Sequence, residues 1–291
     1  MKVISIVVNN PLFIELQYLT LKKFLLTPYE FIIFNDAKHF PDYTNGNDVY
    51  LRNEIRIKCK SLNIPCIDIP NDIHIEITSG SERHSYGMNI ITEFMKRYPD
   101  EYLILDSDMF LIDYLDIDIY RKYNTAIVLQ QRNERRLNYI WPGLCYFNNN
   151  NDYSLLRWDV VEHTDNGGAS CIWLKTQLKD NETFPTSEEI KINNNHNNHN
   201  NHNIYYIRHL WSLDWNEDDI NDNDNDNDNS NIKKLLNFFK EDLRNKNGKF
   251  FSEIYDNKFL HYRAGCNWLG EGIEFHKKNS EKLKEAILML L

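Results

Sequence analysis

The chain has 291 residues, enough for one large or two small domains with a sizeable core. Apolar residues make up 42% and aromatics 13%, a composition that excludes a disordered chain. The formal charge is −10, but Glu217 to Asp228 alone carries seven carboxylates and no Lys or Arg. The remainder therefore stands near −3, without the basic surface that nucleic acid requires.

Val3 to Val8 (VISIVV) is a continuous β-branched run, as expected of a strand buried on both faces. Pro11 opens a helical pattern in which Leu12, Leu16, Leu19 and Phe24 recur on one side. Phe31 to Phe34 predicts a second strand, stopped by Asn35 and Asp36. Tyr50 to Leu62 has helical spacing, and Ile64 to Ile69 predicts a short third strand. Ser81 to Tyr98 predicts a helix with Ser81 as N-cap. Tyr102 to Asp106, Thr125 to Leu129 and Gly143 to Phe147 predict strands four, five and six. Strands alternating with helices argue for an α/β fold with a mostly parallel sheet covered on both faces. In such sheets ligands bind beyond the carboxyl ends of the strands.

After residue 150 the pattern weakens, so 1–150 and 151–291 read as two halves. NNNHNNHNNHN (193–203) and the acidic segment 217–231 lack the apolar content to pack and predict solvated loops. His196, His199 and His202 lie three apart, but their Asn-rich flanks argue against the helix that would align them on a metal. Aromatic residues 204–215 predict folded structure between the loops. Ile232 to Leu243 predicts a helix, and Ser280 to Leu291 a terminal amphipathic helix capped by Ser280. The five cysteines are odd in number and contain no CxxC, which predicts a reducing compartment. The apolar run at the N-terminus is too short for a signal peptide, and no run reaches membrane-spanning length. The expectation is a soluble cytoplasmic protein without an integral membrane segment.

The stretch LILDSDMFLI carries the chemistry. Asp106 and Asp108 lie two apart at a strand's end, so both carboxylates face one side and can meet one hard divalent cation. Asp-Ser-Asp is also ordinary turn chemistry, although apolar residues on both sides weaken that alternative.

This segment resembles the DxD motif of GT-A glycosyltransferases, which ends the fourth strand after a strand-helix-strand start. The resemblance covers residues 1 to about 150 and one C-terminal segment. It implies a GT-A-like fold with an irregular C-terminal acceptor region. The implied partners are a nucleotide-sugar donor, a UDP-sugar favoured, and a glycan, protein or lipid acceptor. The implied cofactor is Mn2+ or Mg2+, held by Asp106 and Asp108, with Ser107 beside the donor. Asp36 then stands where the family places an acid against the nucleoside. SERHSYGMN (81–89) is similar to the helix start facing the donor, which makes Arg83 and His84 donor-side candidates. FLHYRAGCNWLG is similar to the segment that returns a histidine to the metal, giving His261 as third ligand. Its spacing departs from the family: Gly265 and Trp268 are each displaced, and Arg263 stands in for an absent lysine. Asp165, in DNGG, is the acceptor-side catalytic candidate, and Trp141 is a candidate to stack on a sugar. Two alternatives remain: a HAD-like phosphohydrolase using Asp106 as nucleophile, and an inactive sugar- or nucleotide-binding protein.

Overall fold

The structure, a computed structural model, describes residues 1–38, 50–70, 72, 77, 79–132, 137–161, 164–179, 182–192, 203–211, 215–221, 230–266 and 272–291. The elements in chain order are β1 (Lys2–Val7), α1 (Pro11–Phe24), β2 (Glu30–Asn35), α2 (Leu51–Ser61), β3 (Cys66–Asp68), α3 (Gly80–Arg97) and β4 (Tyr102–Asp106). There follow β5 (Met109–Leu111), α4 (Asp118–Arg121), β6 (Thr125–Arg132), β7 (Leu137–Phe147), α5 (Ser170–Thr176), α6 (Ser187–Ile192) and β8 (Ile204–Tyr206). The last are β9 (His209–Trp211), α7 (Glu217–Asn221), α8 (Ser230–Lys234), α9 (Leu236–Glu241), β10 (Glu253–Tyr255), β11 (Phe259–His261) and α10 (Ile273–Leu288).

Seven strands form a central sheet in the order β3-β2-β1-β4-β7-β6-β8. β1 pairs in parallel with β2 and β4, β2 with β3, and β6 with β8, while β7 runs antiparallel to β4 and β6. The chain is thus an α/β protein on a mostly parallel mixed sheet flanked by helices. Strand alternation divides the core into two. Val3, Ile33, Leu103 and Leu105 pack with Phe13, Ile14 and Leu16 of α1 and Leu283 and Ile287 of α10. Ile4, Ile6, Ile32, Phe34 and Ile104 pack against Met88, Ile91 and Met95 of α3. Each fully buried aliphatic side chain contributes about 1.5–3 kcal/mol, which is why the central strands read as unbroken apolar runs.

A second, antiparallel sheet of order β5-β11-β10-β9 uses residues from both halves of the chain. Its three-residue strand β5 follows the Asp106–Asp108 turn directly and aligns Met109 with His261 of β11. β8 and β9–β11 give the C-terminal half more regular structure than its sequence pattern suggests.

Several local expectations are corrected. Ser79, not Ser81, caps α3, its hydroxyl accepting from Glu82 N–H at 3.4 Å. Helix α10 begins at Ile273, seven residues before Ser280, which sits buried in its interior and donates to the carbonyl of His276 at 2.7 Å. His276, Asn279 and Ser280 point inward, so polar residues on the inner face mask the helical pattern. The single helix expected at 232–243 is the pair α8 and α9, broken at Leu235. Glu217–Asn221 of the acidic segment is helical rather than a free loop: Ile220 is buried, and Asn216 and Asp219 cap its start through Asp218 N–H and Asn216 N–H. The histidines at 196, 199 and 202, and Trp268, lie outside the described residues. Among the described residues no helix is long and apolar enough to cross a membrane.

The turn between β4 and β5 is fixed from below by Gln17 of α1. Its buried amide donates to the carbonyls of Asp106 at 2.7 Å and Met109 at 3.0 Å. Gln17→Leu keeps the size but leaves those carbonyls without their donor. It should lower stability by about 1–3 kcal/mol in urea unfolding. An unchanged midpoint would mean the turn holds itself.

Candidate active site

Parallel strands β1, β2 and β4 end at one edge, where Ile6 of β1 stands beside Asp106 of β4. A cleft of about 710 Å³ opens there. Asp106, Ser107, Asp108, Arg83, His84, Asp165, His261 and Arg263 all line it, so residues chosen from four separate stretches of sequence meet in one space.

The acidic pair is built by the second sheet. β11 runs alongside β5 and carries His261 to the Asp106–Asp108 turn. Tyr262 N–H donates to the Asp108 carbonyl at 2.8 Å, and Gly265 N–H to Asp108 Oδ2 at 2.8 Å. Asp108 Oδ1 then lies 3.5 Å from His261 Nε2. One ligand atom each from Asp106, Asp108 and His261 falls within 4.8 Å of the others. Two carboxylates and one imidazole suit a hard or borderline divalent cation such as Mn2+ or Mg2+. The residues present therefore fit such an ion.

Charge at the site is balanced by imidazoles. Burial alone would lower the pKa of His261, but Asp108 and Glu253 outweigh it and raise it to about 10. His84 Nε2 lies 3.0 Å from Asp106 Oδ1. Burial also opposes the charged form of His84, yet Asp106 and, more weakly, Asp36 and Asp165 raise its pKa. Conversely, burial would raise Asp106, while His84 and then His261 hold it below the usual carboxylate range. His84 thus sits against the proposed metal-binding carboxylate rather than standing free for a donor.

Asp165 is tied to the start of α3: it accepts the Ser81 hydroxyl and, at 2.8 Å, its neighbour's Asn166 N–H. Asn166 Nδ2 meets His84 Nδ1 at 2.5 Å, linking the DNGG loop to Asp106 through one imidazole. Gly167 is required there, because its φ is +91° and a Cβ would lie 2.2 Å from the Ile140 carbonyl. Ser107 Oγ is 2.9 Å from Cys266 Sγ. Arg83 lines the cleft while its Nε donates to the Ile77 carbonyl at 2.5 Å. Arg263 also lines it, and its buried Nη1 has no hydrogen-bond partner among the described residues.

Two candidates sit differently from the expectation. Asp36 is fully buried and does not line the cleft, whereas Lys38, two residues on, does. Trp141 is 8% exposed and stacks on Tyr255, centroids 5.4 Å apart at 13°, so that face is closed to a sugar. A bulge after Ile127 places Trp141 opposite Val128, and Gly143 makes room: a Cβ there would lie 2.2 Å from the indole.

Sequence reasoning missed Glu253, His209, Tyr255 and Asn166, which also border the cleft or its wall. The only signal was alternation in SEIYDNKFLHY around an Asp-Asn turn, which marks a hairpin and places Glu253 opposite His261.

No family model matches the chain, and no curated protein matches it. Among solved structures it is similar to a galactosyltransferase, LgtC, in complex with donor and acceptor sugar analogs. The identity is 13% and the TM-score 0.37, over 59% of this chain and 69% of that one. An active-site mutant of LgtC aligns over the same shares at 12% identity and TM-score 0.37.

Burial raises the Asp36 carboxyl from 3.8 to about 7, with Lys38, His84, Arg52 and Arg83 opposing. The folded state therefore keeps a proton that the unfolded chain has lost, and stability falls as pH rises from about 4 to about 7. Asp36→Asn should melt higher than wild type at pH 8, by up to a few kcal/mol, and equal to it at pH 4. A gain that persists at low pH would assign the effect to something other than this carboxyl.

Proposed function

We propose that the chain is a metal-dependent glycosyltransferase that takes its sugar from a nucleoside diphosphate donor, a UDP-sugar favoured. The observation that carries this reading is the cluster of Asp106, Asp108 and His261 in a cleft that also presents Arg83, Lys38 and Arg263. Three carboxylate- and imidazole-bearing residues suit a cation, and the surrounding cations suit a diphosphate.

Asp106 and Asp108 would hold Mn2+ or Mg2+, with His261 completing the protein's share of the shell. When bound, the ion supplies Lewis-acid neutralisation of charge growing on the departing diphosphate. Arg263 Nη1, at the cleft wall and without a hydrogen-bond partner among the described residues, offers a donor to the same oxygens. The N-terminus of α3, with Gly80 and Ser81 at the cleft, adds the positive end of its dipole. His84 bears on Asp106 and so orients the carboxylate rather than the donor. Asp165, oriented by Ser81 and its own loop, is the group proposed to address the acceptor hydroxyl.

The test is thermal denaturation with UDP and with GDP, each with and without Mn2+. A ligand that binds only the folded state adds about 2.7 kcal/mol at a hundred times its dissociation constant. One nucleotide should raise the melting temperature only when Mn2+ is present. Asp108→Asn, which keeps an acceptor for Gly265 N–H, should abolish that shift. Absence of a shift with either nucleotide, in a folded wild type, would refute the donor assignment.

A further inference from the structure

Glu253 is the most heavily engaged carboxylate at the cleft. Its Oε2 accepts from His261 Nδ1 at 2.8 Å and from the Tyr255 hydroxyl at 3.1 Å. Its Oε1 lies 3.6 Å from His209 Nε2 and 4.0 Å from Arg263 Nε. Two hydrogen bonds thus meet on Oε2, and two basic side chains face Oε1, on a side chain that is only 10% exposed.

The placement follows from backbone register. β10 and β11 pair with Glu253 directly opposite His261. Asp256 and Asn257, at φ 49° and 55°, close the hairpin in the left-handed region that a tight turn requires. Tyr255 is clamped between Trp141 and His209, whose ring lies 4.4 Å away at 13°. The Trp141 ring also packs at 5.0 Å from His261. The imidazole is therefore walled in by rings and oriented by one carboxylate.

A neutral imidazole carries one N–H, and the atom that holds it is set by the hydrogen bond it makes. We infer that Glu253 is a positioning residue of the cation centre: with a cation held by Asp106 and Asp108, it keeps the proton of His261 on Nδ1 and so leaves the Nε2 lone pair for the ion. Outer-sphere carboxylates of this kind orient a ligating histidine and raise its basicity. The inference rests on the proposed cation at Asp106, Asp108 and His261, and the experiment separates the two.

Wild type, Glu253→Gln and Glu253→Ala are titrated calorimetrically with Mn2+ alone and with Mn2+ in the presence of UDP. Melting temperatures in EDTA report folding separately. Wild type should bind one ion, and both variants should bind it about 10- to 100-fold more weakly. In wild type with Mg2+, nitrogen NMR of the imidazole resonance lost in His261→Gln should show Nδ1 protonated and Nε2 carrying no proton. That measurement decides the matter if the variants do not fold. Equal Mn2+ affinity in wild type and folded variants, or a proton on Nε2, overturns the role of Glu253 and leaves the transferase reading standing. A wild type that binds no Mn2+ under either condition overturns both.

Discussion

The pairing of β11 with β5 is the constraint on which the site depends. β5 is three residues long and begins immediately after Asp108. By lying antiparallel to it, β11 brings His261 beside the acidic pair and lets Gly265, 157 positions further along the chain, donate to Asp108. Without this contact, Asp108 would lose both His261 and the Gly265 N–H, and His84 would face the acidic pair without His261. Gln17 fastens the same turn from the opposite side, through α1. Both halves of the chain are therefore needed to make one constellation.

The arrangement is electrostatically expensive. Asp106, Asp108 and Glu253 crowd one wall, and burial penalises the charge of Asp106 and Glu253. Buried imidazoles offset it: His84 beside Asp106, and His261 between Asp108 and Glu253. The two imidazoles face the carboxylates from the side where a divalent cation would serve. A fold optimised for stability alone would replace such a cluster with apolar packing. Such a cluster suits the ligand proposed for it, as does Arg263, whose buried Nη1 has no hydrogen-bond partner among the described residues.

Much of this was legible in the sequence for a plain physical reason. Strands buried on both faces must be apolar throughout, so β1, β2 and β4 announce themselves, and an acidic pair ending one of them stands out. His261 and Arg263 were findable because the resemblance supplied a distant segment to look at. Glu253 was not, because its meaning lies in a cross-strand partner eight residues away rather than in any local pattern. β5 is too short for periodicity to show. The start of α10 was hidden by the polar residues His276, Asn279 and Ser280 on its inner face. In the acidic segment composition misled: Glu217–Asn221 folds because Ile220 finds the core and Lys240 reaches Glu217 at 2.7 Å. Trp141 was a candidate to stack on a sugar, whereas the bulge in β7 commits it to supporting Tyr255 and His261.

The central claim is that the cleft cleaves the bond between a sugar and a nucleoside diphosphate with a cation at Asp106 and Asp108. Its most direct test is phosphorus NMR of the protein incubated with a mixture of UDP- and GDP-sugars, with and without Mg2+. Water can serve slowly as acceptor, so free nucleoside diphosphate should accumulate from one donor class, only with the cation, and not with Asp108→Asn. Inorganic phosphate as the product, or donors that stay intact under every condition, would contradict the account.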